Sequence, residues 1–225
     1  MLNYMANNLI VDNNLLKLDL TRTWQISSPS LTGLSQPSGP PAVANGFLWS
    51  SRNSLFLYGG EFSDNPAANP SEYTLWEYDI RSSSWKEHKS PKTSAGKHAT
   101  GDGNPVQRAA EGAGVNAAPV GRGWYFGGHL DAYTTQGWSV QVARVYLKSL
   151  IEFTFPGSPN SGVNSLSGGK TAGSDGVWRN ITEGGLQDQA GFTERADGVL
   201  LYVPGFGEEG ILLGLAGGTN ATFVS

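Results

Sequence analysis

Three apolar runs along the chain end on paired glycines: Leu55-Phe56-Leu57-Tyr58 before Gly59-Gly60, Trp124-Tyr125-Phe126 before Gly127-Gly128, and Ile211 to Ala216 before Gly217-Gly218. A short apolar run closed by a turn signal predicts a buried strand. The glycine pair lets the backbone leave that strand at positive φ and pass close to neighbouring backbone. A second pattern aligns without a gap at Leu15-Leu16-Lys17-Leu18-Asp19-Leu20, Leu75-Trp76-Glu77-Tyr78-Asp79-Ile80 and Leu150-Ile151-Glu152-Phe153-Thr154-Phe155. Each reads apolar, apolar, charged, apolar, polar, apolar, the alternation of a half-buried strand. A tryptophan follows each, at Trp24, Trp85 and Trp178. The last lies beyond the Gly/Ser-rich stretch 157–176, which reads as a long surface loop.

The order of apolar run, glycine pair, alternating strand and Trp occurs complete twice, with its halves at the two ends of the chain. That is an internal repeat, and it resembles the kelch motif of β-propellers. The stretches Arg108-Ala-Ala-Glu-Gly-Ala-Gly-Val115, Gly121-Arg-Gly-Trp-Tyr-Phe-Gly-Gly128 and Arg195-Ala-Asp-Gly-Val-Leu-Leu-Tyr202 resemble the large kelch-repeat proteins of filamentous fungi. Those proteins are secreted or membrane-anchored. The resemblance implies an all-β propeller of four-stranded antiparallel blades, with Gly-Gly ending the second strand and Trp on the fourth.

On that template residues 1–14 are an N-terminal extension and 15–27 the last two strands of one blade. Residues 42–88 form a complete blade, 109–182 a second one swollen by long loops, and 196–218 the first two strands of another. The total is about three blades' worth, against four to eight in a typical propeller. The chain is therefore expected to be a sector of a larger ring, with unpaired blade faces able to drive self-association. Each fourth-strand Trp is expected to fill the gap between blades.

Composition narrows the picture further. With 31 Gly and 12 Pro among 225 residues, only 15% charged and 11% aromatic, the chain suits neither a helical bundle nor a disordered segment. A net charge of −4 without a basic cluster argues against nucleic acid as a partner. The absence of cysteine rules out disulfides and thiolate sites within the chain. Met1 to Asn14 lacks the pattern of a signal peptide, and no apolar run is long enough to span a bilayer. Extracellular or membrane-anchored placement is implied by the resemblance alone.

Candidate chemistry is sparse. Gly112-Ala113-Gly114-Val115-Asn116-Ala117 has dinucleotide-fingerprint spacing, but no apolar strand precedes it and Pro119 would interrupt the helix it needs. Gly168-Gly169-Lys170-Thr171 lacks the first glycine of a phosphate loop, since position 164 is Asn164. His88 is expected at a solvent-side strand end and His98 in a polar loop. The three histidines are not spaced as ligands, so neither a metal nor a cofactor is expected. His129 follows a glycine pair directly, where it can join Asp131 and Tyr133 in a polar cluster. With Trp138, read as the best candidate for an exposed tryptophan, these form a candidate binding loop, the alternative being a solvated or locally hydrogen-bonded loop. Glu208-Glu209 reads as a charged hairpin tip. Sequons at Asn180 and Asn220 occur at the frequency chance gives.

Two function classes follow. One is a non-catalytic scaffold presenting the loops 61–74, 89–108, 129–146 and 157–177 to a protein or glycan partner. The other is a galactose-oxidase-like copper enzyme on the same kind of blade. Its radical cofactor needs a Tyr cross-linked to a Cys, and this chain has no Cys.

Overall fold

The computed structural model describes residues 14–33, 39–184, 188, 193–207 and 209–218. The sequence readings on residues 1–13, Glu208 and Asn220 fall outside them. Fourteen strands are present among the described residues. They are β1 (Leu16–Leu18), β2 (Leu31–Gly33), β3 (Ala44–Ser50), β4 (Ser54–Glu61), β5 (Leu75–Asp79), β6 (Ser84–His88), β7 (Ala113–Ala117), β8 (Arg122–Phe126), β9 (His129–Leu130), β10 (Val145–Tyr146), β11 (Leu150–Thr154), β12 (Val177–Ile181), β13 (Val199–Val203) and β14 (Ile211–Leu215). Two four-stranded antiparallel sheets, β3-β4-β5-β6 and β7-β8-β11-β12, dominate, with the hairpin β13-β14 packed beyond the second. The chain is all-β, and its sheets have the strand order of kelch-type propeller blades.

The first strand β3 lies against β7, and β7 against β13, which makes them the inner strands of successive blades. Between the two full blades lies an aromatic core. Trp49, Phe56 and Tyr58 from the first face Tyr125, Phe153, Phe155 and Trp178 from the second. Ring centroids are 5.9 Å apart for Trp49–Phe153 and 4.8 Å for Tyr58–Tyr125. Trp49 is wholly buried, and its indole N–H donates to the Trp124 carbonyl at 3.2 Å. Side chains in strands alternate between faces, so Trp124 and Phe126 of the second blade turn the other way, toward Leu200, Tyr202 and Leu212 of the hairpin. Two strand glycines make the blade contact close. A Cβ on Gly114 would lie 2.1 Å from the Phe47 ring, and one on Gly123 would lie 2.6 Å from the Trp49 indole.

The backbone joins the blades at the ends of β4 and β8. Gly60 N–H donates to Ala109 O at 2.9 Å, and Gly128 N–H donates to Arg195 O at 2.8 Å. A second row of bonds links the starts of the inner strands. Glu111 N–H donates to Asn45 O at 3.1 Å, and Asp197 N–H to Glu111 O at 2.7 Å. Asn45, Glu111 and Asp197 share left-handed φ values of 55, 58 and 56° and sit inside three Ala-x-Gly triplets, 44–46, 110–112 and 196–198. The same comparison corrects the third glycine pair. Ala216 (φ 58°) and Gly217 (φ 95°) occupy the conformations of Gly59 (69°) and Gly60 (90°), so the repeat unit there is Ala216-Gly217, not Gly217-Gly218.

Other expectations are corrected too. The segment 15–20 pairs not with a strand carrying Trp24 but with β2, Leu18 lying opposite Leu31. Trp24 stands in the intervening turns, 38% exposed, the sheet here having two strands among the described residues. Trp178 fills the gap between blades as expected, whereas its counterpart Trp85 packs on Tyr78 at 5.2 Å, on the side away from the second blade, and stays half-buried. Cross-strand partners Val199 and Leu215, and Leu201 and Leu213, leave an exposed apolar face on the last hairpin.

His88, expected in solvent, is only 6% exposed. Asp175, from the long loop of the second blade, closes over it, Oδ1 lying 2.8 Å from Nδ1, while Glu77 Oε2 lies 2.8 Å from Nε2. The Glu77 bond above all, and Asp175 after it, hold the imidazole pKa above its ordinary value despite burial. The His88 bond likewise holds the Glu77 and Asp175 carboxyls below theirs.

Two predictions follow from these contacts. Gly59→Ala places a Cβ 2.2 Å from Ala109 O, whereas Gly137, at a similar φ of 79°, has nothing within 4 Å. Urea denaturation should show a loss of about 1–2 kcal/mol for Gly137→Ala and about 3–5 kcal/mol, or failure to fold, for Gly59→Ala. Equal losses would contradict the close contact. For His88, the raised imidazole pKa makes its contribution full below the unfolded value of about 6.5 and lost as pH rises through the folded value. The depressed carboxyls contribute above about 4 and lose that as pH falls through their folded values. His88→Gln should therefore cost most near pH 5–6, about 1–2 kcal/mol because Asp175 is largely solvated. A urea-midpoint difference flat from pH 3 to 9 would refute the ion pairing.

Candidate functional site

Each glycine pair delivers the next side chain to the same place relative to its blade. After Gly59-Gly60 comes Glu61, and after Gly127-Gly128 comes His129. The Gly128 turn lets β9 carry on beyond β8 and pair with β10, His129 opposite Tyr146. His129 also exchanges backbone bonds with Ala110, N–H to O at 2.9 Å and O from N–H at 3.2 Å. These bonds bring Glu111, in the second Ala-x-Gly triplet, alongside the imidazole.

The result is a polar cluster at the seam of the two blades. His129 is 0% exposed. Its Nδ1 lies 3.0 Å from Glu111 Oε2, and its Nε2 lies 3.2 Å from Asp131 Oδ2 and 3.6 Å from Glu61 Oε2. None of these approaches has hydrogen-bond alignment, so both ring nitrogens are buried without a directed partner. Arg144, just before β10, bridges Asp131 Oδ2 at 3.0 Å and Glu111 Oε2 at 3.3 Å. The far oxygens of Glu61 and Asp131 are held from outside. Asn45 Nδ2 donates to Glu61 Oε1 at 2.6 Å, and Tyr133 N–H donates to Asp131 Oδ1 at 2.9 Å.

Electrostatics follow from this crowding. Burial opposes a charge on His129, but attraction to Asp131 and Glu61 outweighs it and brings the imidazole pKa up to about 9. Burial likewise opposes ionisation of Asp131, yet His129, the Tyr133 amide and Arg144 bring it down to about 2. Glu111 is pushed up by burial and by the nearby Glu61 and Asp197 charges, against the pull of His129 and Arg144. Three carboxylates share one imidazole and one guanidinium, so anionic charge is in excess.

Of the predicted loop residues, His129 and Asp131 are brought together. Tyr133 supports them through its backbone, its carbonyl also accepting the Phe62 N–H at 2.9 Å from the adjacent blade's loop. Trp138, expected to be exposed, is half-buried against the aromatic core, because the 131–144 segment folds back over the blade. His129 is buried rather than solvated, while Asp131 makes the local hydrogen bonds of its own loop with Tyr133 and Thr134. The reading also passed over Glu61, Glu111, Arg144 and Asn45. Two signals pointed to three of them: Glu61 holds the same position after its glycine pair as His129, and Glu111 and Asn45 are the middle residues of Ala-x-Gly triplets. Nothing local marks Arg144. Asn180 of the first sequon sits on β12 opposite Ile151, its Oδ1 buried.

A second buried cluster is structural in its contacts. Glu152 receives Arg179 Nε at 3.1 Å and Nη2 at 2.9 Å, with Trp124 Nε1 at 2.9 Å and Asn160 Nδ2 at 2.6 Å. Arg179 Nη1 also donates to Lys97 O and Gly162 O at 2.9 and 2.8 Å, tying two loops to the sheet.

No protein-family model matches the chain. It is 67% identical over 213 residues to a kelch repeat-containing protein of the filamentous ascomycete Arthroderma benhamiae. That alignment covers 94% of this chain and 32% of the relative, so the chain spans about a third of the relative's length. Its glycine-closed, four-stranded antiparallel sheets are consistent with kelch-type propeller blades, and the chain is a relative of a kelch repeat-containing protein.

Proposed function

We propose that the chain is part of a non-catalytic kelch-repeat scaffold that presents loops from one edge of its blades to a protein or glycan partner. The observation that carries this reading is the common placement of its longest inner connections. In an antiparallel sheet the end of the second strand, the start of the third and the start of the first share one edge. The 62–74 and 131–144 connections therefore project from the same edge of successive blades. The Phe62–Tyr133 backbone bond joins them at their bases. Loops fixed at their roots by a rigid sheet and exposed over residues 64–69 and 139–143 suit recognition. The polar cluster around His129 lies at those roots. Outside the cell or at its surface is the placement we infer, from the resemblance to fungal kelch-repeat proteins. The exposed apolar face of β13-β14 is, in this reading, a surface for further blades or a second copy.

The test is binding of the purified chain to defined glycan arrays and to candidate extracellular proteins, followed by cross-linking mass spectrometry. Cross-links from the partner should concentrate in residues 63–73 and 132–143. Replacing only the exposed residues 64–69 and 139–143 with short Gly/Ser turns should abolish binding while leaving the unfolding free energy in urea within about 1 kcal/mol, because Tyr73, Tyr133 and Trp138 are kept. Cross-links confined to the opposite edge, or oxidase or hydrolase turnover by the purified chain, would contradict the proposal.

A further inference from the structure

Glu61, His129 and Asp131 place three metal-ligating atoms within 4.8 Å of one another at the seam between two blades. We propose that Glu61 Oε2, His129 Nε2 and Asp131 Oδ2 are ligands of a divalent transition cation of the zinc class, which staples one blade to the next. The remaining coordination is left to water or to a partner's donor atom.

The arrangement around each ligand supports this assignment. Metal-bound imidazoles commonly direct their second nitrogen at a carboxylate, which fixes the tautomer and leaves the other lone pair for the ion. Glu111 Oε2 stands 3.0 Å from Nδ1, within reach of that role once its carboxylate turns into line with the ring N–H. Asn45 holds the far oxygen of Glu61, and the Tyr133 amide holds the far oxygen of Asp131. Of the three inward atoms, Asp131 Oδ2 also accepts from Arg144 Nη2 at 3.0 Å and offers the ion its remaining lone pair, while Glu61 Oε2 and His129 Nε2 converge on the same space. His129 is fully buried with neither nitrogen in an aligned hydrogen bond, an unsatisfied state that an ion at Nε2 would relieve.

Distances and charge agree with the size of the ion. Zinc–nitrogen and zinc–oxygen bonds of about 2.0–2.1 Å imply tetrahedral edges of about 3.3 Å. Nε2 stands 3.2 Å from Asp131 Oδ2 and 3.6 Å from Glu61 Oε2. With a neutral imidazole, the ionised carboxylates of Glu61, Glu111 and Asp131 against Arg144 leave two negative charges, which a divalent cation matches. The imidazole selects zinc-class ions over magnesium or calcium, which favour oxygen alone. The Glu61 and Asp131 side chains are 19% and 10% exposed, giving an ion a path from solvent. The rival occupant is a proton, which would make His129 an imidazolium balancing the same carboxylates.

The whole chain, stripped with EDTA, should be titrated calorimetrically with Zn²⁺ and, for comparison, Mg²⁺. One Zn²⁺ per chain is expected, with Tm rising by roughly 5–10 °C at a hundredfold excess over Kd. Mg²⁺ should do neither. Glu61→Gln and Asp131→Asn should each weaken Zn²⁺ binding by about a hundredfold or more, and Asn45→Ala by about ten- to a hundredfold. His88→Gln, outside the cluster, should bind as the parent does. Far-UV circular dichroism confirms that each variant is folded. Should Asp131→Asn fail to fold, Glu61→Gln and Asn45→Ala decide the matter from the rim. No heat and no Tm shift at millimolar Zn²⁺ would overturn the assignment in favour of the proton, and undiminished binding in folded Glu61→Gln would place the ion elsewhere. The binding-partner experiment is independent: a zinc result of either sign leaves the loop reading intact, and the reverse holds.

Discussion

The structure depends on close backbone approach between blades, made where chain segments adopt left-handed φ. Gly60 and Gly128 donate to the carbonyls of the segments that begin the next blade, and the Asn45–Glu111–Asp197 row repeats the join one strand inward. A Cβ on Gly59 or Gly127 would come within 2.2 Å of the opposing carbonyl oxygen. These fixed points set the register in which Trp49 and Tyr58 meet Phe153 and Trp178. They also decide where Glu61 and His129 emerge, so packing and site share one cause.

Much of the fold was legible because its rules are local. Apolar runs, glycine pairs and the alternating segments at 75–80 and 150–155 each became a strand in the order read, since period-2 alternation and positive-φ glycines act within a few residues. The failures came where a long-range partner decided. The 15–20 segment matches the other two in pattern yet pairs with Leu31–Gly33, in a sheet of two strands among the described residues. Ala216 takes the place of a glycine, which a search for Gly-Gly could not see. Gly114 and Gly123 looked like ordinary strand residues until the rings of Phe47 and Trp49 were found against them.

The site was less legible, for a related reason. Its four acid–base partners to His129 come from residues 61, 111, 131 and 144, on two blades, so only Asp131 lies near it in sequence. His88 shows the same effect. Its own strand makes position 88 look like a solvent-facing end, but Asp175, from the second blade's long insert, covers it. Long inserts on a regular scaffold rewrite burial far from their own sequence position. The buried Glu152–Arg179 pair is another instance, fastening the 155–176 insert and the 89–108 segment to one sheet.

If the inter-blade backbone bonds are what make adjacent blades a single cooperative unit, their amides must exchange only when the whole structure opens. Native-state hydrogen exchange, followed residue by residue against increasing urea, measures this directly. The account predicts that the Gly60, Glu111, Gly128 and Asp197 amides exchange with the same free energy as the central-strand amides of Phe56 and Trp124. Exchange of these four at markedly lower free energy, with the central strands still protected, would show that blades separate independently and would contradict it.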